Sequence, residues 1–464
     1  MDISIVIPEF ANPFAALWWA FTHGGFIIVI IALGYGFWWI YLQAIQIRFL
    51  TRRRYVLLAI DVPKENEQTP KAVEHIFSHF SGIYRQANLV EKYVHGYVQL
   101  AISVELVSLG GYIQYLVRCP AEHRDLVEAA IYAQYPEAEI SEVEDYAFQV
   151  APKFPNDEYD VWASELELTN KEAYPIRTYP LWEHPLTQTF LDPMAALLEV
   201  LARLREGEQI WLQWVIRPPA NDRWRERGLD LINKLIGAKV KPKRGALDVL
   251  VDTPSNVLIG TYETITRTLF EPTSVTQRQE NGPPSLMQHL APNVRAVVEG
   301  IGIKISKTGF QTKGRFVYLG RKDVFDRTRV NAIFGALRQF ASMDMNGFKP
   351  DKKMKTKRNY FRVEQREAVL KRRIILGYRD RSLWAGRSTY VLNIEELASV
   401  WHFPVRTVKA PLVKKTEAKR GEPPSALPLG QLPERPATPT MSSPGPAIAP
   451  GPTRGAAPEN LPVA

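Results

Sequence analysis

The stretch from Gly24 to Ile47, GGFIIVIIALGYGFWWIYLQAIQI, carries no charged residue and runs straight into Arg48, Arg52, Arg53 and Arg54. As a helix its length is about 36 Å, enough to cross a hydrocarbon layer of about 30 Å with some tilt. The run is apolar on every helix face, which sets it apart from the amphipathic stripe of a core helix, so residues 24–47 read as a transmembrane helix. Trp38, Trp39 and Tyr41 suit the interfacial belt next to the arginines, and Trp18 and Trp19 suit the opposite one. Residues 1–23 hold Asp2 and Glu9 but no Lys or Arg. The positive-inside bias therefore leaves this short segment outside and carries the bulk of the chain into the cytoplasm, a single pass of the inner membrane. A cleavable signal peptide would show a basic start, a shorter apolar core and a small-residue cleavage site, and the segment shows none of these.

Composition narrows the chemistry. The single cysteine, Cys119, excludes an intrachain disulfide and a multi-cysteine zinc site. The net charge of +9 points to an anionic partner, and two are within reach of a chain on the inner membrane face: nucleic acid and lipid headgroups. Enough chain follows residue 47 for two ordinary domains and a tail.

That chain repeats one local pattern, an apolar strand that runs into a proline or polar turn and then an amphipathic helix. Proline fits the first helical turn and lacks the donor a strand needs, so it can end one element and begin the next. In order, Tyr55–Val62 reads as strand, Thr69–Ser81 as helix, Tyr97–Val107 and Tyr112–Arg118 as strands around Gly110 and Gly111, Glu122–Tyr135 as helix and Ala138–Tyr146 as strand. This βαββαβ order predicts a ferredoxin-like module over residues 55–150, within an α+β chain. A stretched second pass, residues 158–395, comprises strand Val161–Leu168, helix Met194–Arg205, strands Ile210–Arg217 and Phe316–Leu319, and helix Val324–Ser342. Its closing strand is Ile374–Tyr378 or Thr389–Asn393. A helical insertion, residues 220–311, interrupts it, with helices expected at Trp224–Ile236 and Ile259–Phe270. Residues 396–420 form a C-terminal extension that begins with a short helix, and the proline-rich residues 421–464 are expected to be a disordered tail.

A search for catalytic patterns returns little. No Gly-Lys-Ser or Gly-Lys-Thr supplies a P-loop, and Gly300-Ile-Gly302-Ile-Lys304 reads as a turn between strands. His75 and His79 stand four apart on a helix without a third ligand and read as ordinary helix positions. No catalytic, cofactor or metal residue is assigned, and the chain is not expected to be an enzyme.

The strongest polar signal is basic. Between Lys349 and Arg373 eleven Lys and Arg stand against three acidic residues. The candidate binding residues are Lys349, Lys352, Lys353, Lys355, Lys357, Arg358, Tyr360, Arg362, Lys371, Arg372 and Arg373. Aromatic residues interleaved with cations suit a single-stranded nucleic-acid groove, while the same charges suit an anionic lipid surface, and both readings stay open. A smaller basic turn comprises Lys239, Lys241, Lys243 and Arg244.

Several stretches together carry a resemblance: VPKENEQTPKAVEHIF, VEAAIYAQYPEAEISEVEDY, FLDPMAALLEVLARLREGEQIWLQWVIRP and the series ELASVWHFP, VKAP, AKRGEPPSALP. Over residues 55–428 the chain resembles the membrane-anchored domain that precedes the motor in type IV secretion and conjugation coupling ATPases of the HerA/FtsK superfamily. In those relatives the last stretch leads into a motor with a P-loop, whereas here it leads from Pro428 into the proline-rich tail. The resemblance thus implies a non-catalytic membrane component of a DNA or protein transfer apparatus, assembled as a homo-oligomer or within a larger complex and served by a separate motor ATPase. The rival expectation is a membrane-tethered scaffold or regulator that binds no nucleic acid.

Overall fold

The computed structural model describes residues 13–63, 66–183, 190–237, 290–357 and 360–405. The amino-terminal region comprises α1 (Pro13–Ala20), a wide turn over Phe21–Gly25 and α2 (Phe26–Thr51). The break falls at Gly24, whose φ of 113° a side-chain-bearing residue would adopt only under strain. Across Pro13–Thr51 the 39 residues are long and apolar enough to cross a membrane, and none of the most hydrophobic window is buried. Regular helix begins slightly later than expected and runs on beyond Ile47, taking Arg48 into its last turn.

The rest is a mixed α/β body on one large antiparallel sheet. Its strands are β1 (Tyr55–Asp61), β2 (Ile102–Leu109), β3 (Tyr112–Pro120), β4 (Glu139–Glu142), β5 (Tyr159–Leu168), β6 (Glu208–Arg217), β7 (Gly309–Arg321), β8 (Phe348–Pro350) and β9 (Tyr390–Asn393). They lie in the order β4-β1-β3-β2-β6-β7-β5-β8, with β9 paired to the start of β7. The ladder between β2 and β6, from Ile102 opposite Ile216 to Leu109 opposite Gln209, makes the sheet continuous.

The helices are α3 (Pro70–Phe80), α4 (Leu89–Tyr93), α5 (Arg124–Gln134), α6 (Met194–Ala202), α7 (Arg223–Leu235), α8 (Pro292–Ser306), α9 (Thr328–Leu337), α10 (Val363–Arg379) and α11 (Ile394–Val400). Strand side chains alternate between faces, so Leu58, Val104, Val117, Leu212 and Phe316 share one side. There they form a single core with Ile76 and Phe77 of α3, Ile131 of α5, Leu198 of α6, Ile333 of α9 and Leu397 of α11. On the other side Leu57, Val107, Trp211 and Val317 pack with Ile374, Ile375 and Tyr378 of α10.

Three expectations are corrected. Ile374–Tyr378 is helix, not the closing strand: Ile374, Ile375 and Tyr378 fall at i, i+1 and i+4, one face of α10 laid on the sheet. The strand beside β5 is instead Phe348–Pro350, while Tyr390–Asn393 pairs with β7. Gly300–Lys304 lies inside α8 rather than in a turn, because Ile301 and Ile305 anchor that stretch against Trp224 and Val391. The strand expected to reach Tyr146 stops at Glu142, after which the Asp145 side chain accepts a bond from Ala147 N and starts a short turn of helix. Helices bound the described part of the insertion, α7 close to the expected Trp224–Ile236. The expected helix Ile259–Phe270, the basic turn from Lys239, Arg358, residues 1–12 and the proline-rich tail lie outside the described residues.

Candidate functional site

The basic segment leaves the sheet at β8 and is moored by the residues between its lysines. The Asp351 carboxylate accepts bonds from Lys353 N and Met354 N, each at 2.7 Å, and pairs with Arg387 at 2.8 Å. Thr356 ties to Ala163 of β5 in both directions: its N donates to Ala163 O at 2.9 Å, and its Oγ1 accepts from Ala163 N at 3.0 Å. Asp351, Met354 and Thr356 are buried, whereas Lys352, Lys353 and Lys357 are exposed and Lys355 half-buried. The turn therefore presents cations on a backbone fixed to the sheet.

Beyond it Tyr360 is 80% exposed and Phe361 78% exposed, with the Arg362 guanidinium 5.4 Å from the Phe361 ring centre. Phe361 and Arg362 both hold left-handed backbone, φ 43° and 48°, immediately before α10. Lys349 lies on β8 at 4.0 Å from Glu167. Arg372 and Arg373 are exposed on α10, but Lys371 is drawn off into a pair with Asp160 at 2.5 Å.

Midway along α2, Trp38 and Trp39 are exposed. Trp38 lies 5.8 Å from Tyr41 and 6.0 Å from Tyr93 of α4, ring centre to ring centre, and Tyr41 Oη donates to Tyr93 O at 3.4 Å. Arg48, Arg52 and Arg54 are exposed, and Arg53 pairs with Glu122 at 2.8 Å. Sequence reasoning missed α4, which exposes Leu89 and Val90, with Val94 exposed just past its end. The signal available was its capping box, Asn88 with Glu91.

Also missed was a charged row buried across the sheet. Glu105 of β2 stands opposite Gln213 of β6, Gln213 opposite Arg315 of β7, and Arg315 opposite Glu165 of β5. Gln213 Nε2 donates to Glu105 Oε1 at 3.0 Å, Arg315 Nη1 donates to Gln213 Oε1 at 3.2 Å, and Arg315 Nε lies 3.4 Å from Glu165 Oε1. Ser103 Oγ and Tyr146 Oη also donate to Glu105, at 2.6 and 2.7 Å. Burial raises the Glu105 carboxyl, but the Arg381 charge and these donors bring it down to about 2. Burial lowers the neighbouring Lys313 ammonium to about 8. A carboxylate with Ser103, Tyr146, Gln213 and Arg381 all donating to it is poorly placed to accept a substrate proton, so the row braces the sheet. Among the described residues no group of three or more His, Cys, Asp and Glu is gathered as a metal site.

Compared with known proteins, the chain matches no family model and no curated protein.

Proposed function

We propose that this chain is a membrane-anchored, non-catalytic component of a type IV secretion or conjugation-like transfer apparatus, in which a separate HerA/FtsK-type motor ATPase supplies the energy. In this reading α2 spans the inner membrane with residues 1–23 outside, and the sheet domain stands in the cytoplasm as a homo-oligomer or within a larger complex. The observation that carries it is the docking of the apolar helix onto the body: Trp38 and Tyr41 meet Tyr93, and Arg53 meets Glu122. The helix thereby meets the body through side-chain contacts as well as through the chain link at Arg52–Arg54. Two ferredoxin-like modules, residues 55–150 and 158–395, account for the strand order, since β4-β1-β3-β2 and β8-β5-β7-β6 are the same arrangement joined through β2 and β6. The basic turn from Lys352 to Lys357, with exposed Tyr360 and Phe361 near it, is the proposed contact for DNA entering the apparatus.

The test is recovery of the full chain from native membranes after mild crosslinking. A motor ATPase and DNA are expected in the crosslinked complex, and their joint absence from complexes that retain the chain would overturn the proposal. A scaffold that binds no nucleic acid is the second reading, favoured if the ATPase is recovered and DNA is not.

A further inference from the structure

A cavity of about 470 Å³ opens where the last turns of α2 meet the edge of the buried charged row, lined by Leu50 and Arg53 on one side and by Arg118, Arg217, Asp380 and Trp384 on the other. Five guanidiniums line it, those of Arg53, Arg118, Arg217, Arg379 and Arg381, against one carboxylate, Asp380. Three of the five are already engaged. Arg53 pairs with Glu122, Arg381 with Glu105 and Asp145, and Arg379 donates to the carbonyls of Ala147 and Val150.

The other two are not balanced. Among the described residues the Arg118 side chain makes no hydrogen bond or ion pair, and its guanidinium sits over the Tyr55 ring at 4.1 Å. Arg217 donates to Gln311 Oε1, a neutral acceptor, and lies 5.7 Å from the Trp384 ring centre. Both are half-buried, and burial lowers both from the usual arginine value, for Arg118 with the nearby Arg381 charge adding to it. Taking a cation out of water without a counter-charge is costly, and the ordinary remedy is a carboxylate partner. Here Arg118 feels only the Glu105 and Asp145 carboxylates, which Arg381 already holds, and neither Arg118 nor Arg217 has a carboxylate of its own within ion-pair distance among the described residues. They stand on the same face of the sheet with β2 between them, Arg118 opposite Ser103, and Ser103 opposite Val215, two residues before Arg217. Two strand spacings and a two-residue offset put their backbones about 12 Å apart, a span two extended arginine side chains can close on one tetrahedral anion.

We propose that this cavity binds a phosphate group, with Arg118 and Arg217 as its ligands. Its apolar wall, Leu50 and Trp384 beside the end of α2, suits the headgroup of an anionic phospholipid. A soluble phosphate compound shares the recognised chemistry. Only the lipid as source rests on the membrane reading above, because the phosphate contacts themselves do not require α2 to span a bilayer.

The experiment uses the full chain in a zwitterionic detergent. Native mass spectrometry measures retention of added phosphatidylglycerol against phosphatidylcholine, and calorimetry measures binding of inorganic phosphate. The expected result is selective retention of phosphatidylglycerol that weakens roughly tenfold for each of Arg118→Gln and Arg217→Gln. Trp384→Ala, at an exposed position, reduces lipid retention while leaving the thermal midpoint unchanged, which keeps the test valid if an arginine variant fails to fold. Phosphate binding that is lost in Arg217→Gln, without any lipid preference, supports the phosphate site and assigns it to a soluble source. Retention that is the same for both lipids and all variants, together with no phosphate heat, overturns the proposal. Because this assay is indifferent to topology, its failure leaves the membrane reading to be judged by carbonate extraction.

Discussion

Arg381 and Glu105 form a bidentate pair, Nε to Oε1 at 2.9 Å and Nη2 to Oε2 at 3.1 Å, with side chains 2% and 0% exposed. The pair ties the segment after α10 to the middle of the sheet, and Arg381 holds a left-handed backbone, φ 47°, to reach it. Buried pairs of this kind contribute little against an apolar substitute, but they are costly to break from one side.

Glu105→Gln is therefore expected to destabilise the protein by about 3–5 kcal/mol, read as a shift in denaturant midpoint at neutral pH. The pH dependence has a definite sign. The folded Glu105 carboxyl titrates near 2, below its ordinary value of 4.5, so its contribution is present above about pH 4.5 and is lost as pH falls toward 2. That difference corresponds to about 3 kcal/mol, and the variant should show a correspondingly flatter acid limb.

Reversing Lys352, Lys353, Lys355 and Lys357 to Glu is expected to reduce DNA affinity of the full chain and to flatten its salt dependence, since fewer counterions are released. Tyr360→Ala should weaken single-stranded DNA by about 1–3 kcal/mol and duplex by less. Gel-shift titrations at two salt concentrations check both. If the turn serves lipid instead, the reversed protein loses about 1 kcal/mol of vesicle adhesion per lysine and its DNA binding stays as it was.

Cys119 is fully buried, and burial lifts its thiol to about 12, so it should resist maleimide until the protein unfolds. The only native thiol is thus silent, and introduced cysteines report topology without a cysteine-free background. In intact cells an impermeant maleimide should label Ser4→Cys and not Gln86→Cys. Labelling at position 86 before lysis sinks the proposed orientation.

Purified full chain is expected neither to bind nor to hydrolyse ATP, since no P-loop sequence is present. Phosphate release that co-elutes with the chain through successive columns contradicts this.

Elements with a strong period or a proline boundary were legible in the sequence. Tyr55–Asp61 is a short apolar run, buried on both faces and closed by Pro63, and Pro70–Phe80 puts Val73, Ile76, Phe77 and Phe80 on one helix face, so both were placed within a residue or two. Ile374–Tyr378 was misread because a short apolar run fits strand and helix alike, and its true partner, the far face of the sheet, is distant in sequence. The three-residue strand Phe348–Pro350 left no period to detect. The charge of the Lys349–Arg373 segment was legible, but the diversion of Lys371 to Asp160 was not, because 211 positions separate the two. The buried row from Glu105 to Glu165 stayed hidden for a related reason: its four polar residues lie on four different strands and become partners only when those strands are aligned.

Asn66 Nδ2 donates to Pro404 O at 3.1 Å, and α11 packs on α3, so Pro404 lies beside the turn that follows β1. In mechanical terms, a pull on residue 405 is shared, because Val405 N donates to Asp192 Oδ2 at 3.3 Å, Pro404 O holds Asn66, and α11 sets Glu396 against Lys304 of α8, so tension spreads to both halves of the sheet rather than to one strand.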